Sequence, residues 1–185
     1  MSDFKQAFKK LNELEYSKPE NYLHKNKGEN DYTVGGIYKY ANPNWPGWYL
    51  VNIAIANNSE DITKASVELF NKAHFREMVS MFYEDKYWNA MKLNQIIYQN
   101  TAEEIFLFGV NAGKRTAIRK AQKVVGVKED GLIGPQTINA LNNFPENEFD
   151  MKFDEIEKQY YSSLIDNNPS FKIFDAGWRN RAEYV

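Results

Sequence analysis

Between Glu15 and Gly36 the chain loses its helical period, and this break constrains the fold more than any other feature. Ahead of it, Phe4, Ala7, Phe8, Leu11 and Leu14 recur at three- and four-residue steps, separated by lysines and Asn12. That spacing predicts a helix over about 3–14, with Ser2 as its N-cap. Inside the break, Pro19, Gly28, Gly35 and Gly36 punctuate a polar stretch of about 22 residues, long for a loop without structure of its own. Tyr16, Tyr22, Tyr32 and Tyr38 run through it and supply apolar surface to bury. The segment is therefore expected to pack, as a β-hairpin or small sheet.

The remainder reads as helices. Asn42 to Trp48 is a turn-rich linker whose Trp45 and Trp48 are expected to be exposed. Thr63 to about Asp85 reads as one long helix capped by Asp61 or Thr63. Thr101-Ala102-Glu103-Glu104 has the form of a capping box opening an apolar helix through Phe106, Phe108 and Val110. Gly113 interrupts it, and a second helix follows over Arg115 to Val125. A tight turn over 126–135 ends at Pro135, which suits the first position of a further helix. One more helix is expected over about 150–165. The fold class is mainly α, with one irregular or β-hairpin segment near the N-terminus.

Composition narrows the function. The 12 Phe, 12 Tyr and 4 Trp give the chain the apolar surface that disordered chains lack. A net charge of −2 offers no global attraction to nucleic acid. The absence of cysteine excludes a thiolate site and a cysteine nucleophile, and with His24 and His74 as the only histidines a multi-histidine metal site is not expected. No metal and no cofactor is expected. Nothing approaches the roughly 20 apolar residues of a membrane span. The first residues do not form a classical signal peptide, so synthesis in the cytoplasm is expected, and action outside the cell would need some other delivery.

Phosphate-loop, dinucleotide, H-E-x-x-H and G-x-S-x-G patterns do not occur. What remains for chemistry is a carboxylate-rich segment lined with tyrosines. Glu15 ends the apolar face of the first helix and opens the irregular stretch. Burial keeps a carboxyl protonated near neutrality, the state a general acid needs. Glycoside hydrolysis pairs such an acid with a second group that activates water. Glu20, Glu29 and Asp31 share the segment, and Thr33 is placed to orient a water. Farther along, Lys114, Arg115, Arg119, Lys120 and Lys123 form a run of cations without an acid. It reads either as a solvated helix surface or as an attraction to an anionic polymer.

Several motifs together resemble glycoside hydrolase family 108, the lysozyme-like N-acetylmuramidases. Ala7-Phe8 followed by Glu15-Tyr16-Ser17 resembles the family's first motif, and Thr33-Val34-Gly35-Gly36-Ile37 echoes the second. Tyr83 to Trp88 and Phe108 to Gly113 resemble later motifs. Gln122, Gly126-Val127, Asp130-Gly131, Ile133-Gly134-Pro135 and Thr137 resemble the signature of a peptidoglycan-binding region, and Phe174 to Arg181 its closing motif. Two glycines are missing after Glu15, and the segment before Thr33 is longer than the family's. Anchoring on Thr33 instead would put Glu20 in the acid's register.

The resemblance implies a muramidase-like lobe over 1–100 and a helical, peptidoglycan-binding lobe over 101–185, packed as one compact unit. It implies cleavage of the β-1,4 bond between N-acetylmuramic acid and N-acetylglucosamine, with Glu15, Asp31 and Thr33 as catalytic residues. Tyr16, Tyr32, Tyr38 and Asn111 would bind the glycan strand, and a monomer is expected. A wall-binding protein without catalysis and a lytic transglycosylase are the alternatives.

Overall fold

In the computed structural model, which describes residues 1–15, 18–26 and 28–182, the break after the first helix is a three-stranded antiparallel sheet. Helix α1 (Phe4–Glu15) leads through a short 3-10 turn to β1 (Leu23–His24), β2 (Thr33–Val34) and β3 (Ile37–Tyr38). Among the described residues eight α-helices follow: α2 (Gly47–Asn57), α3 (Ile62–Asn71), α4 (Ala73–Tyr83), α5 (Gln99–Ala112), α6 (Lys114–Val124), α7 (Pro135–Asn143), α8 (Glu146–Asn167) and α9 (Asp175–Arg181). The fold is the mainly α, lysozyme-like class expected, with its small sheet next to the first helix. Among the described residues, no helix is long and apolar enough to cross a membrane.

The chain divides into two compact units, Phe8–Glu84 and Met1–Ala7 with Asp85–Val185. In the first, Gly35 and Gly36 alone join β2 to β3, and both take positive φ (52° and 76°). This is the pattern of a type I′ turn, which suits the twist of a two-residue hairpin. Ser66 of α3 ties the sheet down: its hydroxyl donates to Pro19 O at 2.6 Å and accepts from Leu23 N at 2.8 Å. Tyr22 packs edge-on against Phe70 and Phe75.

In the second unit Phe4, Trp88 and Phe106 form a buried aromatic trio. Helix α5 is buried continuously from Thr101 to Gly109. It packs on α6 and α8, and a methyl group at Gly109 would stand 2.7 Å from Met91 Cε. Trp178 stacks on Tyr161 at 5.0 Å, so the closing aromatic motif contributes to the packing of α8 and α9.

Five local expectations are corrected. Asp3, not Ser2, caps α1 by accepting from Lys5 N at 2.8 Å, while the Ser2 hydroxyl donates to Leu93 O. The long helix over 63–85 is two, because Lys72 leaves helical geometry at ψ 104°; Asp61 caps the first of them. The capping box at Thr101 does not form: α5 starts at Gln99 and buries Thr101, Glu103 and Glu104 inside it. The linker leads into a helix the sequence reading missed, α2, whose first turn holds Trp48, and neither tryptophan is exposed. Trp48 is buried and donates to Asn42 O, while half-buried Trp45 lies edge-on to Phe75 and Phe82. Finally, α8 runs from Glu146 to Asn167, longer at both ends than its apolar spacing suggests.

Candidate functional site

The end of α1 and the glycine turn meet at one place in the Phe8–Glu84 unit. Glu15 is half-buried there. A methyl group at Gly36 would stand 3.2 Å from Glu15 Oε2 and would run into the Tyr83 hydroxyl. The carboxylate and the phenol thus converge on the bare backbone of Gly36, which only glycine leaves open. Tyr83 is buried at the end of α4, where its hydroxyl donates to Gly35 O at 3.0 Å. A methyl group at Gly35 would press on Tyr22 and Val79, so the turn is seated on packed side chains. Phe8 of α1 covers the Tyr83 ring at 5.8 Å.

The other acids of the segment are placed differently. Glu20 is exposed. Glu29 holds a turn, accepting from Asn26 N at 3.0 Å and Asn26 Nδ2 at 2.9 Å. Burial pushes its carboxyl up, but the Asn26 side-chain and backbone hydrogen bonds outweigh this and hold it below the usual range. Asp31 is half-buried, pairs with Lys39 at 3.6 Å and accepts from Tyr32 N. Thr33 is buried in β2, opposite Tyr38 and His24. Tyr32 and Tyr38 are half-buried; Lys25 lies over the Tyr32 ring, and Tyr38 Oη accepts from Asn30 N. Tyr16 lies outside the described residues. Asn111 belongs to the other unit, where its amide donates to Tyr161 Oη at 2.7 Å. The sequence reading missed Tyr83 as a site residue, although it opens the Tyr83 to Trp88 motif.

In the second unit the signature around Gln122 closes a loop. Gln122 Nε2 donates to Asp130 Oδ1, Leu132 O and Thr137 Oγ1, each within 3.1 Å, and Gln122 Oε1 accepts from Gly131 N at 2.9 Å. The Gln122 amide and then the Leu132 N–H hold the Asp130 carboxyl below its usual range. Gln122 is buried, and every polar atom of its side chain is used. These motif residues form the loop's architecture. Among the described residues, one group of carboxylates has the closeness a metal ion needs: oxygens of Glu104, Asp150 and Asp154 lie within 4.8 Å of one another. Lys158 Nζ approaches Asp154 at 3.9 Å and offsets part of that charge.

Part of the chain is similar to a known family, and its fold to a solved structure. Residues 116–183 match the model of a family described as a predicted peptidoglycan domain. No curated protein matches the chain. Among solved structures, SagA from Brucella abortus is similar with a TM-score of 0.64 and 19% identity, over 97% of this chain and 88% of that one. The second likeness is one of fold. The first is a likeness of residues 116–183 to a peptidoglycan-related domain.

Proposed function

We propose that the chain is a peptidoglycan hydrolase of the kind found in glycoside hydrolase family 108. In this reading it is an N-acetylmuramidase cutting the β-1,4 bond between N-acetylmuramic acid and N-acetylglucosamine. The observation that carries the proposal is the Glu15 carboxyl set half-buried against the open backbone of Gly36, beside the Tyr83 hydroxyl. Glu15 protonates the leaving oxygen. Asp31, just before β2, or Thr33, in β2 itself, positions the water. Tyr32 and Tyr38 offer ring faces to the glycan. Electrophoretically pure protein incubated with purified sacculi should release muropeptides whose masses show reducing N-acetylmuramic acid ends. Release of 1,6-anhydro ends instead would identify a lytic transglycosylase and overturn the hydrolytic step.

A second reading, a wall-binding protein without cleavage, is favoured by one observation. The family match lies wholly over 116–183, outside the unit that holds Glu15. It predicts sedimentation with sacculi and no soluble product at all.

A further inference from the structure

Helix α6 presents Lys114, Arg115, Arg119, Lys120 and Lys123, and no acid occurs from Gly113 through Lys128. Among the described residues none of these five forms an ion pair with a carboxylate. Ala117, Ile118, Ala121 and Gln122 take the buried side of the helix. Arg115, Arg119 and Lys123 follow one another at four-residue steps along the exposed side, spanning about 12 Å.

Two features hold this charge together. Gly131, at φ 74°, lies directly under the arginine stems: a methyl group there would stand 2.6 Å from Arg115 Cγ and 3.1 Å from Arg119 Cγ. The Gln122 amide fixes Gly131 through its N–H, so the loop closed by Gln122 is also the bed on which the two arginines rest. At the start of the helix, Lys114 and Lys86 both lie about 6 Å from the centre of the Tyr87 ring. Burial, and then the charge of Lys114, hold the Lys86 ammonium below its usual range. The first turn of α6 has no acid to complement the helix dipole, which itself disfavours cations there. Cations kept together at this cost gain free energy when a polyanion supplies the missing charge.

We propose that the exposed face of α6, backed by the Gly131 loop, docks the carboxylates of peptidoglycan stem peptides. The planar guanidinium pair matches carboxylate geometry, and the region matched to a peptidoglycan domain begins within this helix. The proposal rests on the reading of the chain as a peptidoglycan-acting protein, but it does not need cleavage.

The test uses the full chain carrying Glu15→Gln, so that sacculi stay intact during the measurement. Binding is read by co-sedimentation with native sacculi, with sacculi whose carboxylates have been converted to neutral amides, and with phosphatidylglycerol vesicles, each at low and high salt. Arg115→Gln with Arg119→Gln should weaken binding to native sacculi at least about tenfold at low salt, and Lys123→Gln less. Arg115→Lys with Arg119→Lys should restore part of the loss. Amidation should weaken the parent to the level of the double glutamine variant, and unchanged circular dichroism should show that variant folded. Binding unaffected by the double substitution or by amidation overturns the proposal, as does tighter binding to vesicles than to sacculi. Failure to bind any sacculi contradicts the peptidoglycan reading itself. Binding through another face contradicts only this assignment.

Discussion

Two glycine turns, one in each unit, are built by the same device and put to different uses. At Gly36 the missing side chain leaves space that a carboxylate and a phenol share. At Gly131 it leaves space for two arginine stems. The neighbours of Gly131 are accounted for by hydrogen bonds: Gln122 alone joins Asp130, Gly131, Leu132 and Thr137. The neighbours of Gly36 bring an acid and a phenol together against the bare backbone of the turn. A glycine-bearing signature therefore does not by itself mark chemistry, and the side chain that fills the cleared space decides the role.

The largest effect that separates the two turns is expected at Glu15. Glu15→Gln keeps the shape and removes the proton, so release of soluble glycan from sacculi should fall at least ~100-fold, whereas Glu20→Gln should leave it within a factor of about two. Gly36→Ala should come next. Its methyl group meets Glu15 and Tyr83 at a positive φ, which should cost about 2–3 kcal/mol in thermal unfolding and lower activity as well. Equal activity in Gly36→Ala would mean that the carboxylate does not depend on this turn.

Gln122→Ala should destabilise the chain by about 2 kcal/mol, because the buried Gly131 N–H and the Thr137 hydroxyl lose their partner. The same variant, assayed on soluble glycan fragments below its melting temperature, should cleave at the normal rate. Gly131→Ala should cost about 1–2 kcal/mol, from its positive φ rather than from the arginine stems, which can shift, and its main effect should be weaker binding to sacculi.

The smallest effect is a pH dependence. The Asp130 carboxyl titrates below the ordinary value of 3.8 when folded, so its contribution is present above that value and is lost as pH falls through the lower folded one. The stability difference between wild type and Asp130→Asn should therefore close only in acid below the ordinary Asp range, as read by unfolding curves at successive pH values.

The local pattern disclosed much of this architecture. Phe4, Ala7 and Leu11 are buried as their spacing requires, and the tyrosines running through the helical break announced a packed sheet there. Proline at the first turn of α7 was equally legible. The failures have physical causes. Lys72 separates α3 from α4 without a glycine or proline to announce it. Thr101 looks like a cap only if its neighbours are exposed, whereas α5 is buried on all sides over nine residues. Trp45 sits among turn residues, yet its ring finds Phe75 and Phe82 some 30 residues on. The same holds at the site. Glu15 stood out as a candidate from its place at the end of a helix. Tyr83 did not, because the hydrogen bond that brings it to Gly35 spans 48 residues, and only its place at the head of the Tyr83 to Trp88 motif pointed to it.

A crystal structure of Glu15→Gln soaked with a soluble glycan fragment spanning the susceptible bond would measure the distance that matters. The bridging oxygen should lie within about 3 Å of the residue 15 side-chain amide, with a sugar ring over Gly36. A fragment bound elsewhere, with its bridging oxygen out of reach of residue 15, would contradict the assignment of the acid.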